Sequence, residues 1–156
     1  MRRKDREVTD SAKIEEIIAG CHCCRLGFND DGEVYILPLN FGWEKEQDKY
    51  VLYFHGAKEG RKIDLIYKNP MVGFEMDRGY NLRPGEIGGE CTASFQSIIG
   101  NGVVEMVEDM KEKIHGLTLI MNHNAGEREW TFSEPMLRAV AVFKMTVTQM
   151  SCKEHE

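Results

Sequence analysis

The feature that most constrains this chain is a succession of strand-length apolar runs with almost no helix between them. Cys21 to Phe28, Val34 to Gly42 and Tyr50 to His55 follow one another directly. The first two are joined by Asn29-Asp-Asp-Gly32, whose Asp-Gly ending is a hairpin signal, and the next two by the polar turn Glu44-Lys-Glu-Gln-Asp48. Met71 to Met76 reads as a further strand. Arg78 to Gly89, which holds Gly79, Pro84, Gly85, Gly88 and Gly89, reads as a loop. A long strand over Thr92–Glu108 carries Gly100 and Gly102, a pattern that predicts a bulge or bend. The last strand runs from Leu137 to Met150, with Ala139-Val-Ala-Val-Phe143 at its centre.

Only three segments show helical spacing. Asp10 caps the first, which runs to Ala19 with Ile14, Ile17 and Ile18 on one face and Gly20 ending it. The second covers residues 60–69 with Ile63, Ile66 and Tyr67, stopped by Asn69-Pro70, and the third covers Lys111–Met121. A doubly wound parallel sheet would need a helix after most strands. The pattern therefore predicts a mainly β chain, an antiparallel barrel closed or partly closed, with about three peripheral helices. No repeat or Pro/Gly/Ser-rich linker interrupts residues 1–156, which read as a single domain.

Charge narrows the function classes. Twenty basic against twenty-six acidic residues give a net charge of −6, which argues against bulk nucleic-acid binding and against docking on an anionic membrane. No apolar run approaches the length of a membrane span, and Met1-Arg-Arg-Lys lacks the apolar stretch of a secretory signal, so a cytoplasmic location is expected. The charge is uneven. Residues 1–6 carry four basic side chains and one acidic, which predicts a solvated tail, and residues 57–68 carry Lys58, Arg61, Lys62 and Lys68 against Glu59 and Asp64.

Five cysteines, an odd number, argue against a disulfide framework. Cys21-His-Cys-Cys24 raises a zinc hypothesis, because thiolate and imidazole are the usual ligands. No second ligand pair follows, and a strand would turn Cys21 and Cys23 to one face and His22 and Cys24 to the other. Buried small hydrophobes are the better reading, with no metal.

The most informative segment is Tyr53-Phe-His-Gly-Ala-Lys-Glu-Gly-Arg-Lys-Ile-Asp64. A strand ends at His55, glycines open a turn, and Arg61 and Lys62 fall in the first turn of a helix. Free backbone N–H groups and the helix dipole favour an anion there. Arg61 adds a forked donor and Lys62 a point charge, which together suit a terminal phosphate. The competing reading is a surface helix start whose basic residues pair with Glu59 and Asp64.

Phe54-His-Gly-Ala-Lys-Glu-Gly-Arg-Lys62 resembles the phosphate-binding segment of the flavin-binding split β-barrels, the superfamily of pyridoxamine 5′-phosphate oxidase, with Gly60, Arg61 and Lys62 in the matching places. The chain is most similar to the branch associated with 5-nitroimidazole resistance. Arg2-Arg-Lys-Asp5, Arg25-Leu-Gly, Asp31-Gly32, Pro38-Leu-Asn-Phe-Gly42, Leu52 to Leu65, Ser97-Ile-Ile-Gly100 and Met121-Asn-His123 carry that likeness. Met150-Ser-Cys-Lys153 stands where relatives tend to end in a glycine-lysine tail.

The resemblance implies a homodimer that binds FMN at the subunit interface. It implies that Arg61 and Lys62 hold the phosphate and that Pro38, Leu39, Asn40 and Phe41 lie along the isoalloxazine. It implies that His55, Gly56 and Ala57 line the ribityl side, and that Ser97 reaches the flavin of the opposite subunit. His55 is the candidate catalytic residue, since a histidine beside a flavin can supply or stabilise a proton; the competing reading is a hydrogen-bonding strand-end histidine that only shapes the pocket. His123 reads as a helix C-terminal residue, Trp130 and Phe132 as packing aromatics or a flavin cover, and the nine methionines as core fillers. The function implied is an FMN-dependent oxidoreductase of the nitroimidazole-reductase-like type, passing electrons to a small electrophile. Any NAD(P)H would bind transiently, because no Rossmann fingerprint is present. The alternatives are a flavin carrier, store or sensor without turnover, or a zinc or haem protein using Cys21–Cys24 or His55.

Overall fold

Asp10 opens the first helix, as its spacing predicts. The computed structural model describes residues 3–155. The Asp10 carboxylate accepts from the Ala12 N–H at 3.1 Å, and α1 (Ser11–Gly20) buries Ile17 and Ile18. Ahead of it the basic start is tied down rather than loose. Lys4–Arg6 forms a single 3₁₀ turn, and β1 (Glu7–Val8) pairs with Lys153 and Cys152. Met1 and Arg2, the first part of the Arg2–Asp5 likeness, lie outside the described residues.

The strands are β2 (Cys24–Asp30), β3 (Glu33–Leu39), β4 (Gly42–Glu46), β5 (Lys49–Ala57), β6 (Met71–Arg83), β7 (Thr92–Met106) and β8 (Val140–His155). Period-two burial in β2 turns Cys24, Leu26 and Phe28 inward. Two hairpins close through two-residue turns with both central residues at positive φ. Asp31 and Gly32 join β2 to β3, and Gln47 and Asp48 join β4 to β5. The Glu44–Asp48 stretch is thus mostly strand rather than turn, because Glu44 to Glu46 pair with Val51 to Lys49.

All pairings are antiparallel, in the order β3-β2-β6-β7-β8-β5-β4, with β1 added beside β8. Among the described residues no ladder joins β3 to β4, so the barrel is split rather than closed. The register slips between Asn101 and Gly102, where glycine spacing predicts a bulge. Arg78–Gly89 is only partly loop. After an irregularity between Arg78 and Asn81, β6 continues to Arg83 against Thr92.

The remaining helices are α2 (Arg61–Lys68), α3 (Met110–Ala125) and α4 (Glu134–Ala139), one more than the sequence pattern predicts. Ser133 caps α4 and Pro135 sits in its first turn, so Leu137 and Ala139 are helical and β8 begins at Val140. Asp109 caps α3 through the Glu112 N–H at 2.9 Å. One core fills the barrel, with Phe54 and Phe143 stacked at 5.4 Å. A second packs Leu117 and Ile120 of α3 on Val51 and Tyr53 of β5. With cores on both sides, β5 is buried continuously from Tyr50 to Phe54, which explains its unbroken apolar run. Helix α3 lies so close to β4 that a Cβ on Gly42 would stand 2.4 Å from the Ile120 nitrogen.

Candidate functional site

The end of β5 and the start of α2 meet at His55, Gly56 and Lys62. Gly60 precedes α2 with φ of 116°, a conformation that suits glycine, and no side chain caps the helix. Lys62 folds back over β5: a Cβ on Gly56 would lie 2.7 Å from its Nζ. Among the described residues Lys62 makes no ion pair, and it is half-buried. An uncapped helix start beside an unpaired ammonium is suited to an anion. Protein atoms crowding the His55 ring and the Lys62 charge both hold the imidazole below its usual pKa. His55 is therefore neutral near pH 7, with one ring nitrogen free to accept a proton.

Arg61 points the other way. Its Nε donates to Asp30 Oδ2 at 3.0 Å, its Nη2 lies in an ion pair 2.8 Å from the same oxygen, and its guanidinium lies 4.6 Å from the centre of the Tyr35 ring. Lys68 reaches Asp31 and Asp30 at 2.5 and 3.5 Å. Arg61 and Lys68 of α2 thus pair across to the end of β2 and the β2–β3 turn, not with Glu59 and Asp64. The two adjacent residues of the motif differ in kind: Arg61 is held by carboxylate and ring, whereas Lys62 is free for a ligand. Sequence spacing gives no sign of this, because Asp30 is thirty-one residues away.

Pro38 and Leu39 end β3, and Asn40 and Phe41 bridge to β4. Pro38 and Asn40 are exposed. The Phe41 ring is fully buried, 6.5 Å from Phe54 and 4.6 Å from His123, and this brings the 38–41 segment beside the strand that carries His55. The last turn of α3 grips the segment. Asn124 Nδ2 donates to the Phe41 carbonyl at 2.9 Å, and Asn40 Nδ2 donates to Asn124 Oδ1 at 3.2 Å. His123, as expected a residue of the helix C-terminus, contacts the Cys21 carbonyl at 2.6 Å. Burial lowers its pKa against that hydrogen bond. Trp130 donates to Asn122 at 2.9 Å with Arg128 stacked 3.7 Å from its ring, and Phe132 packs on the second core, so both aromatics are engaged within the chain.

Ser97 is not brought to these residues within one chain. It pairs with Asp77 and Lys153, whereas His55 pairs with Val142, eleven residues away along β8. At ~3.3 Å per residue that separation is on the order of 35 Å along the strand. Ser97 belongs instead to the outer sheet face. There Arg25, Gly27, Val34, Ile36, Gly73 and Ile99 are among the residues lining a cleft of about 680 Å³, which His55 and Lys62 do not line.

Three of the five cysteines are core residues, by a different route from that expected, whereas Cys23 is half-buried and Cys91 exposed. Cys21 and Cys24 are both buried because β2 begins only at Cys24, and Cys152 is buried too. Burial pushes the Cys21 and Cys152 thiols to about 11 and the Cys24 thiol higher still, so all three stay protonated at neutral pH. Among the described residues no group of three or more His, Cys, Asp and Glu side chains could hold a metal ion. No helix there is long and apolar enough to cross a membrane.

An eight-stranded split barrel with an anion-suited strand–turn–helix defines the class, an antiparallel split β-barrel. The family model described as pyridoxamine 5′-phosphate oxidase matches residues 10–154, and the chain belongs to that family. A solved structure assigned to 5-nitroimidazole antibiotic resistance in Bacteroides thetaiotaomicron is similar at 34% identity and a TM-score of 0.82, over 95% of this chain and 86% of that one. A flavocytochrome from Azotobacter vinelandii shares the fold at 19% identity and a TM-score of 0.80, over 100% and 72% of the two chains. So does an FAD- and haem-binding protein from Mycobacterium smegmatis, at 14% identity and a TM-score of 0.83, over 97% and 74%. Comparison with curated proteins finds no match.

Proposed function

We propose that this protein is an FMN-dependent oxidoreductase of the nitroimidazole-reductase-like type, working as a homodimer with a flavin at each subunit interface. The observation that carries the reading is Lys62, unpaired among the described residues and folded over Gly56 at the uncapped start of α2, with neutral His55 alongside. These residues fit a phosphomonoester. Lys62 and the first amides of α2 would hold its charge, with Arg61 behind them. His55, Gly56 and Ala57 would line the ribityl chain, and the backbone of Pro38, Leu39, Asn40 and Phe41 would face the ring. The 34% identity to the Bacteroides protein supports the choice of substrate class.

The second copy would sit on the outer sheet face. Val34, Ile36 and Ile99 are 72%, 62% and 55% exposed there, around the cleft floored by Gly27 and Gly73. Ser97 shares that sheet face, which gives it a route to a flavin held mainly by the other subunit. Bound flavin would supply the two-electron chemistry between a reduced nicotinamide and the acceptor. The net change for a nitroaromatic is R–NO₂ + NAD(P)H + H⁺ giving R–NO + NAD(P)⁺ + H₂O. His55 would hold or deliver a proton at its ring nitrogen.

The experiment is anaerobic mixing of FMN-loaded protein with NADH or NADPH, followed by a nitroimidazole. The expected result is bleaching of the flavin band by the nicotinamide and its return on adding the acceptor. A band that never bleaches would leave a flavin carrier or sensor, and absence of FMN binding would overturn the reading altogether. Lys62→Ala should weaken FMN binding by about tenfold or more, since a charge-assisted contact is worth ~1.5–3 kcal/mol, and Arg61→Ala should cost less. Equal affinity in the double variant Arg61→Ala, Lys62→Ala would mean that the phosphate is held elsewhere.

A further inference from the structure

We infer that Asn124 is a positioning residue for the flavin, holding the 38–41 segment from behind; this rests on the FMN reading above. Asn40 and Phe41 fall between β3 and β4, so sheet pairing alone does not fix their backbone. Side-chain amides do so instead. Asn124 Nδ2 has two hydrogens, and it donates to the Phe41 carbonyl at 2.9 Å and to the Ile120 carbonyl of its own helix at 2.7 Å. Its Oδ1 accepts from Asn40 Nδ2 at 3.2 Å, and the other Asn40 hydrogen goes to the His22 carbonyl at 3.0 Å. All four N–H bonds of the two carboxamides are thereby used, which is their full donor capacity.

The consequence is a three-way junction. The link after α1, the β3–β4 bridge and the last turn of α3 are joined through two side chains. Only a carboxamide of this length meets both demands at Asn124, since aspartate has no N–H to give and alanine has neither group. With its carboxamide bonded to His22 and Asn124 and the next carbonyl occupied, Asn40 would present a fixed backbone on the side where the proposed ring would lie. The ring's polar edge responds to backbone groups near it. A loosened 38–41 segment should therefore change both flavin affinity and flavin electronics.

The test compares Asn124→Ala and Asn124→Asp with Asn122→Ala, two residues earlier on α3, whose side chain accepts from Trp130 and makes no hydrogen bond to the 38–41 segment. Four quantities are read on folded protein: FMN affinity by fluorescence quenching, the flavin visible spectrum, its midpoint potential, and amide hydrogen exchange of residues 39–42 in protein free of FMN. Both Asn124 variants should raise the FMN Kd at least tenfold, shift the flavin band and potential, and speed exchange at 40–42. Asn122→Ala should leave Kd within about twofold. Wild-type affinity and spectrum with unchanged exchange in the Asn124 variants would overturn the proposal, as would an equal loss in Asn122→Ala. Faster exchange and normal wild-type FMN binding without any change in Kd, band or potential would refute the flavin role while leaving the FMN reading intact. A wild type that binds no FMN would overturn both.

Discussion

Alanine at Gly42 puts the close contact between α3 and β4 to a direct test. The new Cβ would stand 2.4 Å from both the Ile120 nitrogen and the Leu119 carbonyl carbon, and 2.7 Å from the Leu119 oxygen. Those are helix backbone atoms, so no side-chain rotation can relieve the clash. Ordinary contact is about 3.5 Å, so helix or strand must shift by roughly 1 Å. Overpacking of this kind costs about 1–3 kcal/mol. For a chain of this length each kcal/mol lowers the melting temperature by ~2–4 °C, so the variant should melt roughly 2–12 °C below wild type. Calorimetry on the purified variants gives the number. Gly88 is the control, because it lies outside the proposed dimer face and a Cβ there would meet nothing within 4 Å, so Gly88→Ala should move the midpoint far less. A Gly42→Ala protein melting within 1 °C of wild type, or no lower than Gly88→Ala, would refute the claim that backbone proximity sets the seat of α3.

Two further outcomes follow from the buried titratable groups. His123 has its pKa lowered mainly by burial, so its NMR titration should show a midpoint below the ordinary ~6.5 of imidazole. The unfolded chain then takes up the proton first, so unfolding free energy in urea should fall as pH drops below about 7 and level off under the folded-state midpoint; a His123 midpoint at or above ~6.5 would contradict this. Iodoacetamide at pH 8 followed by mass spectrometry should label exposed Cys91 fastest and half-buried Cys23 more slowly, and leave Cys21, Cys24 and Cys152 unmodified until denaturant is added. Prompt labelling of any of those three in native protein would mean that the barrel core is open.

How much of this was legible in the sequence follows from the range of the forces involved. Local chemistry shows plainly: Asp10 and the Asp-Gly turn announce the start of α1 and the β2–β3 hairpin because their signals lie within a few residues. The Gly100 and Gly102 pair marks the β7 irregularity for the same reason. The Gln47-Asp48 turn carries no such signal, since neither residue is glycine and both nonetheless take positive φ, so the polar Glu44–Asp48 stretch reads as turn although most of it is strand. Ser133 and Pro135 carried a helix start that the apolar run after Leu137 masked. At the candidate site the Gly60–Lys62 spacing was visible, but the different tasks of its two cations were not. Arg61 is claimed by Asp30, and Asn40 by Asn124 eighty-four residues on; such pairings exist only once the sheet has assembled.

The place of β8 in the sheet sets the order in which the molecule can be made. Strands β3, β2, β6 and β7 form one run and β4 with β5 another, and β8, which follows them all in the chain, is the piece between the two. During synthesis the flanks of β7 and β5 must wait with bare hydrogen-bonding edges until the ribosome delivers that strand. Until then Phe143 is missing from beside Phe54, and the barrel interior has no wall on that side. Before β8 is made the nascent chain can build at most two half-sheets, so the contacts that complete the core join segments far apart in sequence, a topology that slows folding.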